Sequence, residues 1–320
     1  MAPSPIRPTG LAALALLGAS LVVPAGPGGA AGATRDLVVL STTDVGGMTG
    51  PCGCHIPKGG LSRRAAYADS MRSLYSDVML VDDGGFFPVD STRTDAAWFL
   101  MDMMRYIDVK AVGTSPRELR LGLAPLLSNV ARTGLPLTSA NLVDRKTGKP
   151  VLAPSVIATS GDLKVGFFSL MPDTADLGPA RDTVQVLDPI ATARASVAEL
   201  RRQGATVVVL LSQLGKSGSE DLVAAVPGID AVICGNGVPL LQIGHKIKDT
   251  VASYGGEQGH YLSRTILSLD GGGRVTSGNN ECFALTGEMG EKESVARMVK
   301  TFEDALSLRL HRAGKTVTTP

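Results

Sequence analysis

Aromatic residues, histidine, cysteine and net charge are all scarce in this chain. Of its 320 residues 4% are aromatic, among them a single Trp, so a core drawn from 44% hydrophobic residues must be filled by Leu, Val and Ala. Thirty-one basic residues face 30 acidic ones. That near-neutral balance excludes the basic footprint required by nucleic acid or an anionic membrane surface. One long apolar run is present, Leu11 to Val23. It is short for a bilayer span, is interrupted by Gly18 and is followed by Pro24. Arg7 is the only charged side chain before it, and Ala31-Gly32-Ala33 supplies a small-x-small series. The sequence therefore predicts an export signal over residues 1–33, cleaved after Ala33, with a periplasmic or secreted product and no membrane span left. In an oxidising compartment the four cysteines, Cys52, Cys54, Cys234 and Cys282, can form two disulfides in any of three connectivities.

Beyond residue 33 short apolar runs alternate with segments of helical period. "DLVVLST" (36–42), "DVMLVDD" (77–83), "VKAVG" (109–113), "LPLTSAN" (135–141), "LKVGFFSL" (163–170) and "ATVVVLLS" (205–212) predict strands. Near-continuous Val/Leu runs such as the last predict strands buried on both faces. Helices are expected over 60–75, 94–107, about 116–133 and 189–204, with Thr94 as an N-cap, Pro116 at a first helical position and Gly204 as a stop. After "GIDAVICG" (228–235) come short alternating runs between glycine-rich turns, which predict an antiparallel segment. An amphipathic helix over about 291–312 ends the chain. The expected division is a leader (1–33), one α/β domain (34–290), and a terminal helix and tail (291–320).

Four stretches, in order, carry a resemblance. They are "SANLVDRKTGKPVLAPSVIATSGDLKVGFFSL", "DPIATARASVAELRRQGATVVVLLSQLG", "EDLVAAVPGIDAVICGNG" and "ASYGGEQGHYLSRTILSLD". Together they resemble the secreted 5′-nucleotidase branch of the calcineurin-like metallophosphoesterases, from about Asp36 to Leu269. The resemblance implies a four-layer α/β/β/α sandwich and a two-metal hydrolytic site held by Asp, His and Asn side chains. It also shows where that site is degraded. The Asp-x-His motif after the first strand is Asp44-Val45-Gly46, and the "GD" motif falls on Gly84-Gly85, so the carboxylate shared by both metals is glycine. "GNHE" falls on Gly113-Thr114-Ser115, the "LSHLG" histidine is Gln213, and the "GGHTH" histidines are Asn236 and Val238. Only Asp44 survives by position. His55, His245, His260 and His311 lie elsewhere, and a lone histidine is more often a surface or structural residue than a ligand. Fold alone does not carry the activity.

What the chain has instead is "GPCGCHIPKGGLSRRAAY" (50–67). This loop resembles a degenerate, selenoprotein-related subset of secreted nucleotidase-like proteins with Cys-Gly-Cys after the first strand. That resemblance implies redox chemistry and a respiratory or redox partner in the periplasm or membrane. The loop follows a strand, where α/β sheets place their sites. Lys58, Arg63, Arg64 and the start of the next helix would favour thiolate at Cys52 and Cys54. A bridge between residues two apart closes a small strained ring, and strained bridges are the readily reduced ones. Three uses stay open: redox exchange at Cys52 and Cys54, a soft metal held by those thiolates with His55, and long-range structural bridges to Cys234 or Cys282. Haem attachment is disfavoured, because it needs two residues between the cysteines. The metal candidates are thus Asp44, His55 and Asn236, for a divalent or a soft ion, and the catalytic candidates are Cys52 and Cys54. A metal-dependent phosphoesterase with rearranged ligands and a pure binding module are the alternatives. Asp82-Asp83 reads either as a carboxylate pair or as a solvated strand end, "GGGR" (271–274) as a turn, and Met101, Met103 and Met104 as core filling near Trp98.

Overall fold

The computed structural model describes Met1 and residues 34–314. Apart from Met1, the expected leader over 1–33 lies outside the described residues, as do the last six residues of the tail. In chain order the elements begin β1 (Arg35–Thr42), α1 (Leu61–Leu74), β2 (Asp77–Asp82), α2 (Thr94–Tyr106), β3 (Val109–Val112) and α3 (Leu123–Thr133). They continue with β4 (Leu142–Asp144), β5 (Val156–Ser160), β6 (Leu163–Leu170), β7 (Val184–Val186), α4 (Pro189–Arg202), β8 (Val207–Ser212) and α5 (Gly215–Ala225). The last are β9 (Ala231–Cys234), β10 (His245–Ile247), β11 (Thr250–Tyr254), β12 (Tyr261–Leu269), β13 (Val275–Ala284) and α6 (Glu293–Arg312).

Two sheets face each other. One has the order β13-β12-β1-β2-β3 and the other β10-β11-β9-β8-β6-β5, while β4 and β7 form a separate ribbon. Strand alternation builds the layers. In β1, Leu37 and Val39 point into the core between the sheets, against Val207, Val209 and Leu211 of β8. Val38 and Leu40 point the other way, onto Leu61, Ala65 and Ala68 of α1. In β8, Val208 and Leu210 face Leu200 of α4 and Leu222 of α5. Strands buried on both faces need an apolar residue at every position, which is what the unbroken Val/Leu runs provide. The result is the expected α/β/β/α sandwich in a single domain. The methionines Met101, Met103 and Met104 of α2 point into the core.

Several expectations are corrected. The helix foreseen from 116 is split, with a short 3-10 turn at Pro116–Leu119 and α3 starting only after Gly122, whose φ of 94° breaks the helix. "LPLTSAN" makes single bridges, Val112 to Leu137 and Thr138 to Ala153, in place of a strand. The final segment is antiparallel at β12–β13 and β10–β11, but β11 runs parallel to β9, so the segment is shared between the two sheets. Helix α5 was not foreseen, because its Gly215, Gly218 and serines mask its period. The terminal helix α6 sends Val295 and Val299 into the core beside α1, so it is part of the domain.

Candidate functional site

The parallel strands of both sheets end on one rim, and the chain segments after β1, β2, β3, β8 and β9 meet there. Asp44 follows β1 in a left-handed conformation, φ 46°, uncommon for a residue with a side chain. Its backbone is pinned on both sides, its N–H donating to the Gly84 carbonyl and its carbonyl accepting from Gln258 N–H. Its carboxylate Oδ2 accepts from the backbone N–H groups of Asn236 (2.7 Å) and Gly237 (3.1 Å). Burial pushes the Asp44 carboxyl above its ordinary range, against the pull of the Gly237 amide and the Arg117 charge.

Of the two readings of the aspartate doublet, the solvated strand end is excluded. Asp82 and Asp83 are both fully buried. Asp82 pairs with Arg64 Nη1 at 3.1 Å and also accepts from Thr42 Oγ1 and Gly84 N–H. Asp83 Oδ2 accepts from Gln213 Nε2 at 3.0 Å, and its Oδ1 has no protein partner. Burial first, then the charges of Asp44 and Asp82, push the Asp83 carboxyl well above its ordinary range. Glu118, also fully buried, accepts from Ser115 N–H and Oγ and from the N–H groups of Gly85 and Phe87. Ser115 thus sits where the resemblance places a catalytic histidine, but here it caps the turn at Pro116–Leu119, with Glu118 closing a capping box. The sequence reading missed that Ser-x-x-Glu signal, and with it Glu118 and the Asp83–Gln213 pair.

These residues do not fit a two-metal centre. A Cβ built on Gly85 would stand 2.3 Å from Asp44 Oδ1, so the aspartate occupies the space a carboxylate at 85 needs. A Cβ at Gly235 would meet Asp83 Oδ2 at 2.2 Å and Gln213 Nε2 at 2.5 Å. Asn236 touches Asp44 through its backbone, and its side-chain amide donates to the Gln213 carbonyl. Among the described residues no group of three or more His, Cys, Asp or Glu is arranged to hold a metal ion. Beside this rim lies a cleft of about 270 Å³ lined by Asp44, Met48, Arg93, Arg117 and Glu257. Arg93 is committed to Glu303, while Arg117 donates to the Gly85 carbonyl.

The cysteine loop stands next to the rim. Cys52 and Cys54 are bonded to each other, and Cys234 and Cys282 are free and buried. The long-range bridges are therefore not formed. A soft-metal site is not formed either, because bonded sulfurs offer no thiolate and His55 is exposed. Backbone pairing closes the loop at its base: Cys52 N–H donates to the Lys58 carbonyl (2.8 Å), and Pro51 bridges Gly59. Lys58 N–H donates in turn to Cys52 Sγ at 3.3 Å. Cys52 is 4% exposed, whereas residues 53–57, including Cys54, face solvent. Of the cations expected to favour thiolate, Arg64 is turned inward to Asp82 and the Val81 carbonyl. Arg63 reaches the Pro57 and Leu285 carbonyls and Glu291, and Lys58 lies over the Tyr261 ring.

No family model matches the chain. A 2′,3′-cyclic-nucleotide 2′-phosphodiesterase/3′-nucleotidase of Yersinia enterocolitica is 27% identical over 238 residues, 64% of this chain and 36% of that protein. A Salmonella typhimurium protein of the same description is 27% identical over 241 residues. The chain thus spans little more than a third of the length of these curated relatives (36% and 37%). Among solved structures, a 5′-nucleotidase precursor from Thermus thermophilus superposes with a TM-score of 0.73 at 22% identity, covering 87% of this chain and 59% of that one. The calcineurin-like phosphoesterase YfkN from Bacillus subtilis gives 0.73 at 19% identity, covering 87% of this chain and all 100% of the other. The chain has the metallophosphoesterase-like fold of the 5′-nucleotidases, and its relatives are nucleotidase and cyclic-nucleotide phosphodiesterase enzymes.

Proposed function

We propose that this chain is an exported, non-hydrolytic relative of those nucleotidases, belonging with the Cys-Gly-Cys subset, whose Cys52–Cys54 pair performs thiol–disulfide exchange. The observation that carries this reading is the bonded pair itself, with one sulfur buried and the other exposed at the strand-end rim. Structural disulfides resist reduction, whereas exposed ones are the labile ones that exchange. The rim supports the same conclusion from the other side. Its one surviving ligand, Asp44, is held by two backbone N–H groups, and its neighbours at 85, 213 and 238 are Gly, Gln and Val. The 27% identity to a cyclic-nucleotide phosphodiesterase favours a second reading, a hydrolase with rearranged ligands.

One experiment separates them. Protein purified without chelator is assayed for accessible thiols before and after mild reduction, and for Mn-dependent turnover of 2′,3′-cyclic AMP and 5′-AMP. Two thiols appearing on reduction, with no turnover, is the expected result. Divalent-dependent turnover that disappears in Asp44→Ala would establish the hydrolase instead.

A further inference from the structure

The two sulfurs of the pair are not equivalent. Cys52 is 4% exposed and receives the Lys58 N–H at 3.3 Å, while Cys54 is exposed and stands between Gly53 and His55, also exposed. Neither cavity flanking the loop contains it. The cleft beside Asp44 reaches Met48 and goes no further, and the small cavity at the far end is lined by Gly60, Leu61 and Leu285. Small-molecule substrates are held in concave sites that bury most of their surface. A projecting loop gives such a substrate no walls. Beside Cys54 the loop presents Ile56, 60% exposed, an apolar contact suited to a second macromolecular surface.

Resting on the exchange reading above, we infer that the substrate of this site is a protein dithiol, that its thiolate attacks Cys54 Sγ, and that Cys52 Sγ is the leaving group. In the first step the partner's sulfur bonds to Cys54 Sγ, the Cys52–Cys54 bond breaks, and its electron pair leaves on Cys52. Lys58 N–H already points at that sulfur, and a hydrogen bond to it strengthens as it gains charge. In the second step the partner's other thiolate attacks the partner sulfur of the mixed disulfide, and Cys54 leaves as thiolate. Two electrons and two protons pass from the partner to Cys52 and Cys54, so the partner ends as a disulfide and this chain as a dithiol. Attack at Cys52 would require a nucleophile to reach a buried sulfur, 4% exposed, that already accepts the Lys58 N–H.

Reduced thioredoxin serves as the protein dithiol and dithiothreitol as the small one, with appearance of thiols in the full-length mature chain as the readout. A thioredoxin variant with a single active-site cysteine traps the first step. After alkylation of free thiols, peptide mass spectrometry should find thioredoxin on Cys54 and the alkyl group on Cys52. The ratio of the thioredoxin rate to the dithiothreitol rate should fall about tenfold in Ile56→Asp, the size of effect expected from one lost apolar interface contact. Trapping on Cys52, or an unchanged rate ratio in Ile56→Asp, overturns this inference while leaving exchange itself standing. Failure of both reductants to release thiols overturns the exchange reading, and this inference with it.

Discussion

Asp44 Oδ1 lies where the side chain of residue 85 would begin, 2.3 Å from the position of a Cβ on Gly85. The aspartate and a carboxylate at 85 cannot both occupy the rim in this backbone. Gly85 also has φ 69°, a conformation that strains any other residue.

Restoring the missing acid should therefore damage the protein without restoring hydrolysis. Gly85→Asp is expected to lose about 2–4 kcal/mol of stability, from overpacking and a strained backbone together, with no gain in Mn-dependent phosphodiesterase rate. A urea melt coincident with that of the parent chain would show that the rim is more adaptable than its geometry indicates.

Chelation gives a second check. A metal bound at a hundred times its dissociation constant would add about 2.7 kcal/mol to the folded state. EDTA should leave the melting temperature unchanged, and added Mn should not raise it. Asp44→Ala should still destabilise by about 1–3 kcal/mol, because the Asn236 and Gly237 N–H groups lose their acceptor. A chelator-sensitive melting temperature that becomes insensitive in Asp44→Ala would overturn the account of the rim.

The buried carboxyls give the folded state a defined pH dependence. Burial is the first cause raising Asp83, and it also raises Asp44, Asp82 and Glu118. With its folded value above the ordinary 3.8, Asp83 leaves the native chain holding more protons than the unfolded chain over that interval. Its contribution is most favourable below the ordinary value and is lost as pH rises toward the folded one. Asp83→Asn mimics the protonated acid at every pH. The variant should match the parent in acid and become the more stable of the two as pH rises, diverging by up to about 1.4 kcal/mol per pH unit. Parallel stability curves between pH 4 and 8 would contradict this.

The cysteines divide by burial. A bridge between residues two apart closes a ring of three residues, for which the chain-entropy relation gives about 1.6 kcal/mol, against about 4.7 for a loop of 100 residues. Cys52→Ser and Cys54→Ser should each lower stability only modestly and abolish the thiols released by reduction. Cys234→Ala and Cys282→Ala should leave that release unchanged, since neither sulfur takes part in a bridge. Burial holds both thiols above the ordinary range, so they should stay unreactive in the native chain. Loss of reducible thiols in Cys234→Ala would indicate a different pairing.

The strand and helix pattern is local. Runs such as Val207–Ser212 and the capped helix Pro189–Arg202 declare themselves, because a doubly buried strand must be apolar throughout and Asp188 caps its helix through the Ala191 N–H. That residues 85, 115, 213 and 238 are Gly, Ser, Gln and Val was also legible, since it needs only the identity of residues at the ends of strands. The sequence could not show which way the remaining polar side chains turn. Arg63 and Arg64 were read as cations beside the thiols, yet Arg64 is drawn under the sheet by Asp82, a residue 18 positions away on the neighbouring strand. Nor could the sequence show that Asp83 is capped by Gln213, which follows β8 of the opposite sheet, while Asp82 is held by Arg64. Cysteine pairing had three solutions in one dimension. The folded chain adopts none of the three in full: Cys52 and Cys54 are bonded to each other, while Cys234, packed against α5, and Cys282, on β13 beside β12, stay buried and free. Periodicity and residue identity are properties of a stretch of chain, whereas burial and pairing depend on what another element brings to the same place, and that is decided only when the two sheets close.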